Sequence, residues 1–323
     1  MHDAEYKSIS LQKEKNDKEH KLSLQHHYSA QEYSPSSGTL SVLNSHWDEI
    51  QIIIIDDNSN SESVVFFSIF RETARKNTEV LFTKEGKGAG YARNIGLSHA
   101  RGKWIIFADA DDFFTANCFT ILNEYMDSPH KVIYFNVRFV MSDDPSQESR
   151  RGTYYTNFFN DVNPENKLRY QSQVPWGKMI RRSFLSTFHI QFDETRIAND
   201  VYFSCLVGIY APKVTTDRRI IYYCTESDQS LAMSKQDRES LIIRFNASMK
   251  CNRLLRQEKI HYYLSPLPWC IPSAKTKEWL PAKYFFEYLF FFRLQAFKEL
   301  YYAFSAILSH MNEPANKRNR QPM

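Results

Sequence analysis

Trp104-Ile105-Ile106-Phe107-Ala108-Asp109-Ala110-Asp111-Asp112 is the stretch that decides the fold. An unbroken apolar run that stops in carboxylates reads as a buried parallel strand reaching its functional end. Side chains alternate faces along a strand, so Asp109 and Asp111 are expected on one side and Asp112 on the other. Two carboxylates on one side of a strand tip repel each other unless a cation lies between them. Mg²⁺ or Mn²⁺ suits that position, because each takes oxygen ligands and fills its shell with water and substrate phosphates. The same residues also read as a solvated turn in which Asp112 caps a following helix.

Working outward, Ile50-Gln-Ile-Ile-Ile-Ile55 is a second apolar, β-branched run, and it ends in Asp56-Asp57-Asn58-Ser59. Glu79 to Thr83 is a third strand, and Val64, Val65, Phe67 and Ile69 give the segment between them a weak helical pattern. Gly86-Lys-Gly88-Ala-Gly90 then opens a helix from Ala89 to Ala100. Short apolar strands alternating with helices, each strand ending in polar residues, predict an α/β fold. Its sheet should be mostly parallel and Rossmann-like, flanked by helices, with the site along the carboxyl edge.

Further on, the pattern predicts a helix over 117–127, a strand over 131–140 and a polar, flexible loop over 143–166. Val174-Pro-Trp176-Gly177-Lys178 precedes a helical or turn segment over 179–188. Asn199-Asp200 leads a helix through Tyr210, and 214–216 and 220–224 read as short strands. The domain plan is a charged, solvated tail over 1–25, a catalytic domain over 26–262 and an aromatic-rich helical extension over 263–323. Lys283 to Leu308 is interrupted by Lys283, Glu287, Arg293, Lys298 and Glu299, too often to span a bilayer. Its aromatic face either packs on protein or lies in a membrane interface, helped by the basic Lys317-Arg318-Asn319-Arg320.

Composition narrows the classes. The chain has 323 residues, 42% of them hydrophobic, enough for a sizeable core. A net charge of +4 and a pI near 8.6 are too mild for a nucleic-acid binder. Five cysteines without a C-x-x-C pair argue against a disulfide framework or zinc site. The first 25 residues lack the apolar core of a secretory signal, so the cytoplasmic side is expected.

The glycine cluster sits where a dinucleotide fingerprint would, but its spacing fails. Counting from Gly86, the third glycine position is Tyr91; counting from Gly88, it is Arg93. A dinucleotide oxidoreductase is disfavoured accordingly. What remains is a glycine-rich helix entry that carries Arg93 and Asn94 toward the acidic strand ends, where Arg93 neutralises an Asp or binds a phosphate.

In order along the chain stand Asp-Asp-Asn-Ser, Gly-x-Gly-x-Ala-Arg-Asn-x-Gly, Ala-Asp-Ala-Asp-Asp, Trp-Gly-Lys and Asn-Asp. This succession, from about Leu40 to Met233, resembles family 2 of the inverting nucleotide-sugar glycosyltransferases. The resemblance implies the GT-A fold, a nucleotide-diphosphate sugar donor such as a UDP-sugar, a divalent cation and a glycan or glycolipid acceptor at the cell surface. By position, Asp57 and Arg93 would serve the donor, with Asp57 at the nucleobase, Asp109 the ribose or diphosphate region, and Asp111 the cation. Asp200 would be the general base, and Trp176 and Lys178 the acceptor side. Asn199 stands where the family often has Glu.

The family also opens with an apolar strand and an Asn-containing turn, and here the chain departs from it. Residues 26–39 begin His-His-Tyr-Ser-Ala-Gln-Glu-Tyr-Ser-Pro, which is polar and strand-poor. A permitted codon choice for His26 to Pro35, read one base later, spells Ile-Ile-Ile-Pro-His-Lys-Asn-Ile-Pro. The expectation is a pair of compensating frameshifts, with the ordinary frame restored near Leu40. An enzyme and a non-catalytic remnant of one are therefore both open.

Overall fold

In the computed structural model the described residues are 6–12, 22–29, 50–58, 77–109, 111–149, 152–226, 237–266 and 280–293. The strands are β1 (Tyr6–Gln12), β2 (Leu22–Ser29), β3 (Ile50–Asp57), β4 (Thr78–Thr83), β5 (Trp104–Asp109), β6 (Phe113–Phe114), β7 (Val132–Met141), β8 (Lys178–Arg181) and β9 (Val214–Glu226). The helices are α1 (Ala89–His99), α2 (Cys118–Asn123), α3 (Gly152–Phe159), α4 (Pro164–Gln171), α5 (Arg182–Thr187), α6 (Asn199–Tyr210), α7 (Arg238–Gln257) and α8 (Ala282–Phe292). The weakly helical pattern around Val64 to Ile69 lies outside the described residues.

One sheet runs in the order β4-β3-β1-β2-β5-β8-β7-β9-β6. Parallel ladders join β3 to β4, β2 to β5 and β7 to β9. The remaining ladders are antiparallel, so the sheet is mixed. The parallel pairs carry the two acidic strand ends to one edge, where ligands bind in open α/β sheets. Ile52 to Ile55 and Trp104 to Ala108 are almost wholly shielded from solvent, as continuous apolar strands covered on both faces must be. Each buried Ile or Phe contributes roughly 1.5–3 kcal/mol, so these runs anchor the sheet.

Several expectations are corrected. The tail expected to be solvated contains one strand and the start of another: β1 lies between β3 and β2, and β2 pairs with β5 in the register His26 to Ala108 and His27 to Asp109. Part of the strand-poor segment thus fills a central place, because backbone ladders accept any side chain that leaves its N–H available. The loop expected over 143–166 holds α3 and the start of α4, whose Asn163 side chain accepts from the N–H of Asn166 with Pro164 just behind it. Lys178 to Arg181 is a strand rather than a turn. The two short strands near 214 and 220 are one strand, irregular at Phe135, Asn136 and Val137 of its β7 partner.

The chain forms two compact units, Met1–Ser234 with Ala247–Leu264, and Lys235–Asn246 with Ser265–Met323. In the first, Val201 and Cys205 of α6 pack with Cys251, Leu254 and Leu255 of α7. In the second, Phe245 meets Tyr284 edge to face at 5.2 Å, while Phe286 and Phe290 are 67% and 79% exposed. Among the described residues no helix is long and apolar enough to cross a membrane, and cysteines 118, 205, 224 and 251 are buried.

Candidate functional site

The acidic end of β3 turns inward. Asp57 is fully buried, and its carboxylate accepts from the Thr83 hydroxyl, the Gly86 N–H at 3.2 Å and the Gly88 N–H at 2.6 Å. Gly86 and Gly88 have φ of 59° and 87°, a region that glycine enters without strain. Asp57 therefore shapes the glycine loop. Three protein donors occupy most of the acceptor positions of its carboxylate.

The acidic end of β5 turns outward. Period-two alternation stops at Asp109, where the N–H of Asp112 donates to the Asp109 carbonyl at 3.2 Å and folds the chain into a turn. Asp109 and Asp111 thus do not form the same-face pair that an extended strand would give. Asp109 is 30% exposed and pairs with Arg93 at 2.7 Å. Asp111 is exposed. Asp112 is buried, and burial, then the charges of Asp111 and Asp109, push its carboxyl well above the usual range. Its Oδ1 accepts from the Thr225 N–H at 2.7 Å, and the Thr225 hydroxyl donates to the Asp111 carbonyl at 2.9 Å. Asp112 caps no helix, contrary to the alternative reading.

Arg93, buried in α1, joins this end to the next element. Its Nη2 donates to Asp109 and its Nη1 to Oδ1 of Asn199 at 2.8 Å. Asn94 beside it clamps the backbone of Phe192, donating to its carbonyl at 3.0 Å and accepting from its N–H at 2.8 Å. Gly90 lets the helix come this close, since a Cβ there would run into the Asp193 carbonyl. Asp200 follows Asn199 in the first turn of α6, where the helix dipole favours a carboxylate. Arg93 thus joins Asp109 to the residue preceding the expected base.

Trp176 and Lys178 do not line an acceptor groove. Trp176 is 7% exposed, stacked on Tyr222 at 6.2 Å and edge-on to Phe139 at 5.6 Å. Lys178 is fully buried; its Nζ donates to the carbonyls of Ser172 at 3.1 Å and Val174 at 2.5 Å. Burial lowers its pKa to about 7, opposed by the charge of Asp200. Tyr222 and Thr225 were missed in the sequence, because hydrogen bonds to residues more than a hundred positions away leave no local signature.

Paired acidic strand ends, a glycine-rich helix entry and a carboxylate on a later helix, on one edge of such a sheet, are the arrangement expected of the GT-A fold. Residues 39–188 match the model of Glycosyl transferase family 2. The chain is 38% identical over 78 residues to an uncharacterized glycosyltransferase of Haemophilus influenzae, covering 24% of this chain and 31% of that one. It is 27% identical over 197 residues to EpsH of Bacillus subtilis, covering 57% and 54%. The poly(ribitol-phosphate) beta-N-acetylglucosaminyltransferase TarS of Staphylococcus aureus is 23% identical over 186 residues, covering 56% and 31%. Thus the chain spans about half or less of the length of these relatives. The crystal structure of TarS 1–349 with UDP-GlcNAc superposes with a TM-score of 0.50 at 19% identity, covering 67% of this chain and 59% of that one.

Proposed function

We propose that the chain transfers a sugar, with inversion, from a nucleotide diphosphate, a UDP-sugar in the first instance, to a cell-surface glycan or glycolipid. The observation that carries this reading is Arg93, which ties the acidic end of β5 to the helix that bears Asp200. Asp200 takes the proton of the acceptor hydroxyl as that oxygen bonds to the anomeric carbon. The bond from that carbon to the diphosphate breaks on the opposite face, and the diphosphate leaves with the electron pair.

Among the described residues no group of three or more His, Cys, Asp or Glu side chains is arranged to hold a metal ion. Mg²⁺ or Mn²⁺ needs no such cage when one carboxylate and the donor's phosphates supply the ligands, and exposed Asp111 fits that role. Such an ion would stabilise the charge that develops on the leaving diphosphate. Asp112 is buried, with its Oδ1 held by the Thr225 N–H. Asp57 serves the donor indirectly, by holding the loop of Gly86 and Gly88.

The test is a pair of variants followed by calorimetry and a donor-turnover assay. Asp111→Ala should abolish Mn²⁺-dependent UDP binding, whereas Asp200→Asn should leave binding intact and stop transfer. Undiminished turnover in either would overturn the role assigned to it.

A second reading, a remnant that no longer holds donor, is favoured by the family match beginning at residue 39, beyond β2. That start coincides with the place near Leu40 where the ordinary reading frame would resume. The nucleotide sequence decides it: lack of an alternative frame encoding the apolar strand removes the frameshift. Saturable binding of a nucleotide sugar with Mn²⁺ supports the enzyme over the remnant.

For the C-terminal extension, the reading is peripheral contact with the cytoplasmic face of the membrane. Lys283, Phe286 and Phe290 are exposed on α8, as is Arg293 just past its end, and aromatic side chains flanked by cations suit an anionic interface. The rest of 283–308 lies outside the described residues. Phe286→Ser with Phe290→Ser should release the chain from anionic vesicles in flotation without changing its melting temperature; unchanged flotation would refute the contact.

A further inference from the structure

Tyr222 lies far from the acidic turn in sequence and against it in space. It sits in β9, opposite Phe114 of β6 and Val137 of β7, and is wholly buried. A phenol hydroxyl buried this deeply costs folding energy unless it is hydrogen-bonded. Its oxygen accepts from the backbone N–H of Asp109 at 2.8 Å. The same hydroxyl is hydrogen-bonded to the side chain of Asp112. One hydroxyl therefore spans the first and last residues of the Asp109 to Asp112 turn. The ring cannot swing away, because Trp176 stacks on it at 6.2 Å and 23°, and Phe114 meets it edge-on at 5.1 Å. Thr225, three residues further along the same strand, fixes the turn a second time through Asp111 and Asp112.

We propose that Tyr222 is a positioning residue for cation binding, its hydroxyl setting the shape of the turn that presents Asp111. This rests on the reading of Asp111 as the cation carboxylate. It also gives Trp176 a function from within the core, as the plate behind Tyr222. The physical reason is preorganisation: a single carboxylate that must share an ion with a substrate diphosphate has little chelate effect of its own. Any freedom in its turn is lost on binding and weakens the ion's hold.

Tyr222→Phe keeps the ring and removes only the hydroxyl. The full chain would be titrated with MnCl₂ in the presence of UDP, by calorimetry and by Mn²⁺ electron paramagnetic resonance, and with UDP alone. The expected result is Mn²⁺ binding weakened about tenfold, with metal-free UDP affinity and the circular-dichroism spectrum unchanged. One lost buried hydrogen bond of about 1.4 kcal/mol corresponds to that factor. Thr225→Val, which removes only the bond to the Asp111 carbonyl, should weaken Mn²⁺ in the same direction and serves should Tyr222→Phe fail to fold. If wild type binds Mn²⁺ with UDP and the folded variants bind it equally well, the positioning role is overturned and the cation reading stands. If wild type shows no Mn²⁺-dependent UDP binding, the cation reading falls, and this inference with it.

Discussion

The ends of β3 and β5 share a sequence pattern and differ in solvation. Each is an apolar run that stops in aspartates at the carboxyl edge of the same sheet. At the β3 end, Asp57 is fully buried and accepts from Thr83, Gly86 and Gly88. At the β5 end, Asp111 is exposed, and the turn that carries it is gripped from behind by Thr225. A carboxylate surrounded by its own chain's donors builds structure, whereas one that faces water can exchange ligands. Sequence alone makes both strand ends look like chemistry, and only the burial of each aspartate separates builder from ligand.

The sharpest way to break that comparison is to truncate both. Asp57→Ala removes the acceptor for three donors in the interior and should cost about 3–5 kcal/mol, read as a lowered midpoint in urea. Asp111→Ala should change stability by less than about 0.5 kcal/mol, as exposed substitutions do. If the two variants melt alike, the division into builder and ligand is wrong.

Arg93 lies between the two cases, buried itself but bonded to the partly exposed Asp109. Arg93→Met keeps much of the side-chain length and removes the charge. Asn199 then loses a partner in the interior and Asp109 loses its counter-ion, for an expected cost of about 2–3 kcal/mol. Because Asp109 reaches solvent, raising the salt concentration should shrink the difference from wild type. A salt-independent difference would instead assign the loss to Asn199 and to the packing of the guanidinium over Phe192.

Much of this was legible in the chain. Strands β3, β5 and β7 announce themselves because buried strands must be apolar along their length, and α1 and α6 because they follow glycine and Asn-Asp starts. What escaped has a common cause. Lys178 reads as a site residue only through the Trp-Gly-Lys resemblance, and Ser172 and Val174 offer it carbonyls that no local pattern reveals. Trp176 looks like a sugar platform until its partners Tyr222 and Phe139, distant in sequence, are known. α4 was readable in principle from Asn163-Pro164-Glu165, a helix start set in a polar stretch. β1 and β2 were not, since their side-chain pattern gives no sign of a place in mid-sheet.

Lys178 supplies the last and smallest test, as the buried cation to set beside Arg93. Burial holds its pKa at about 7, below the usual lysine value of about 10.4, because the charged form loses more hydration in the core than Asp200 restores. Between those two values the unfolded chain binds the proton more tightly than the folded one, so this group makes stability rise with pH. The slope is at most about 1.4 kcal/mol per pH unit. Lys178→Met should therefore flatten the dependence of unfolding free energy on pH between 7 and 9, even though it leaves the Ser172 and Val174 carbonyls without this donor. An unchanged slope would mean that Lys178 keeps its ordinary affinity for the proton and that Asp200 offsets the burial fully. In that case Lys178 would be a charged partner of the proposed base rather than a core residue.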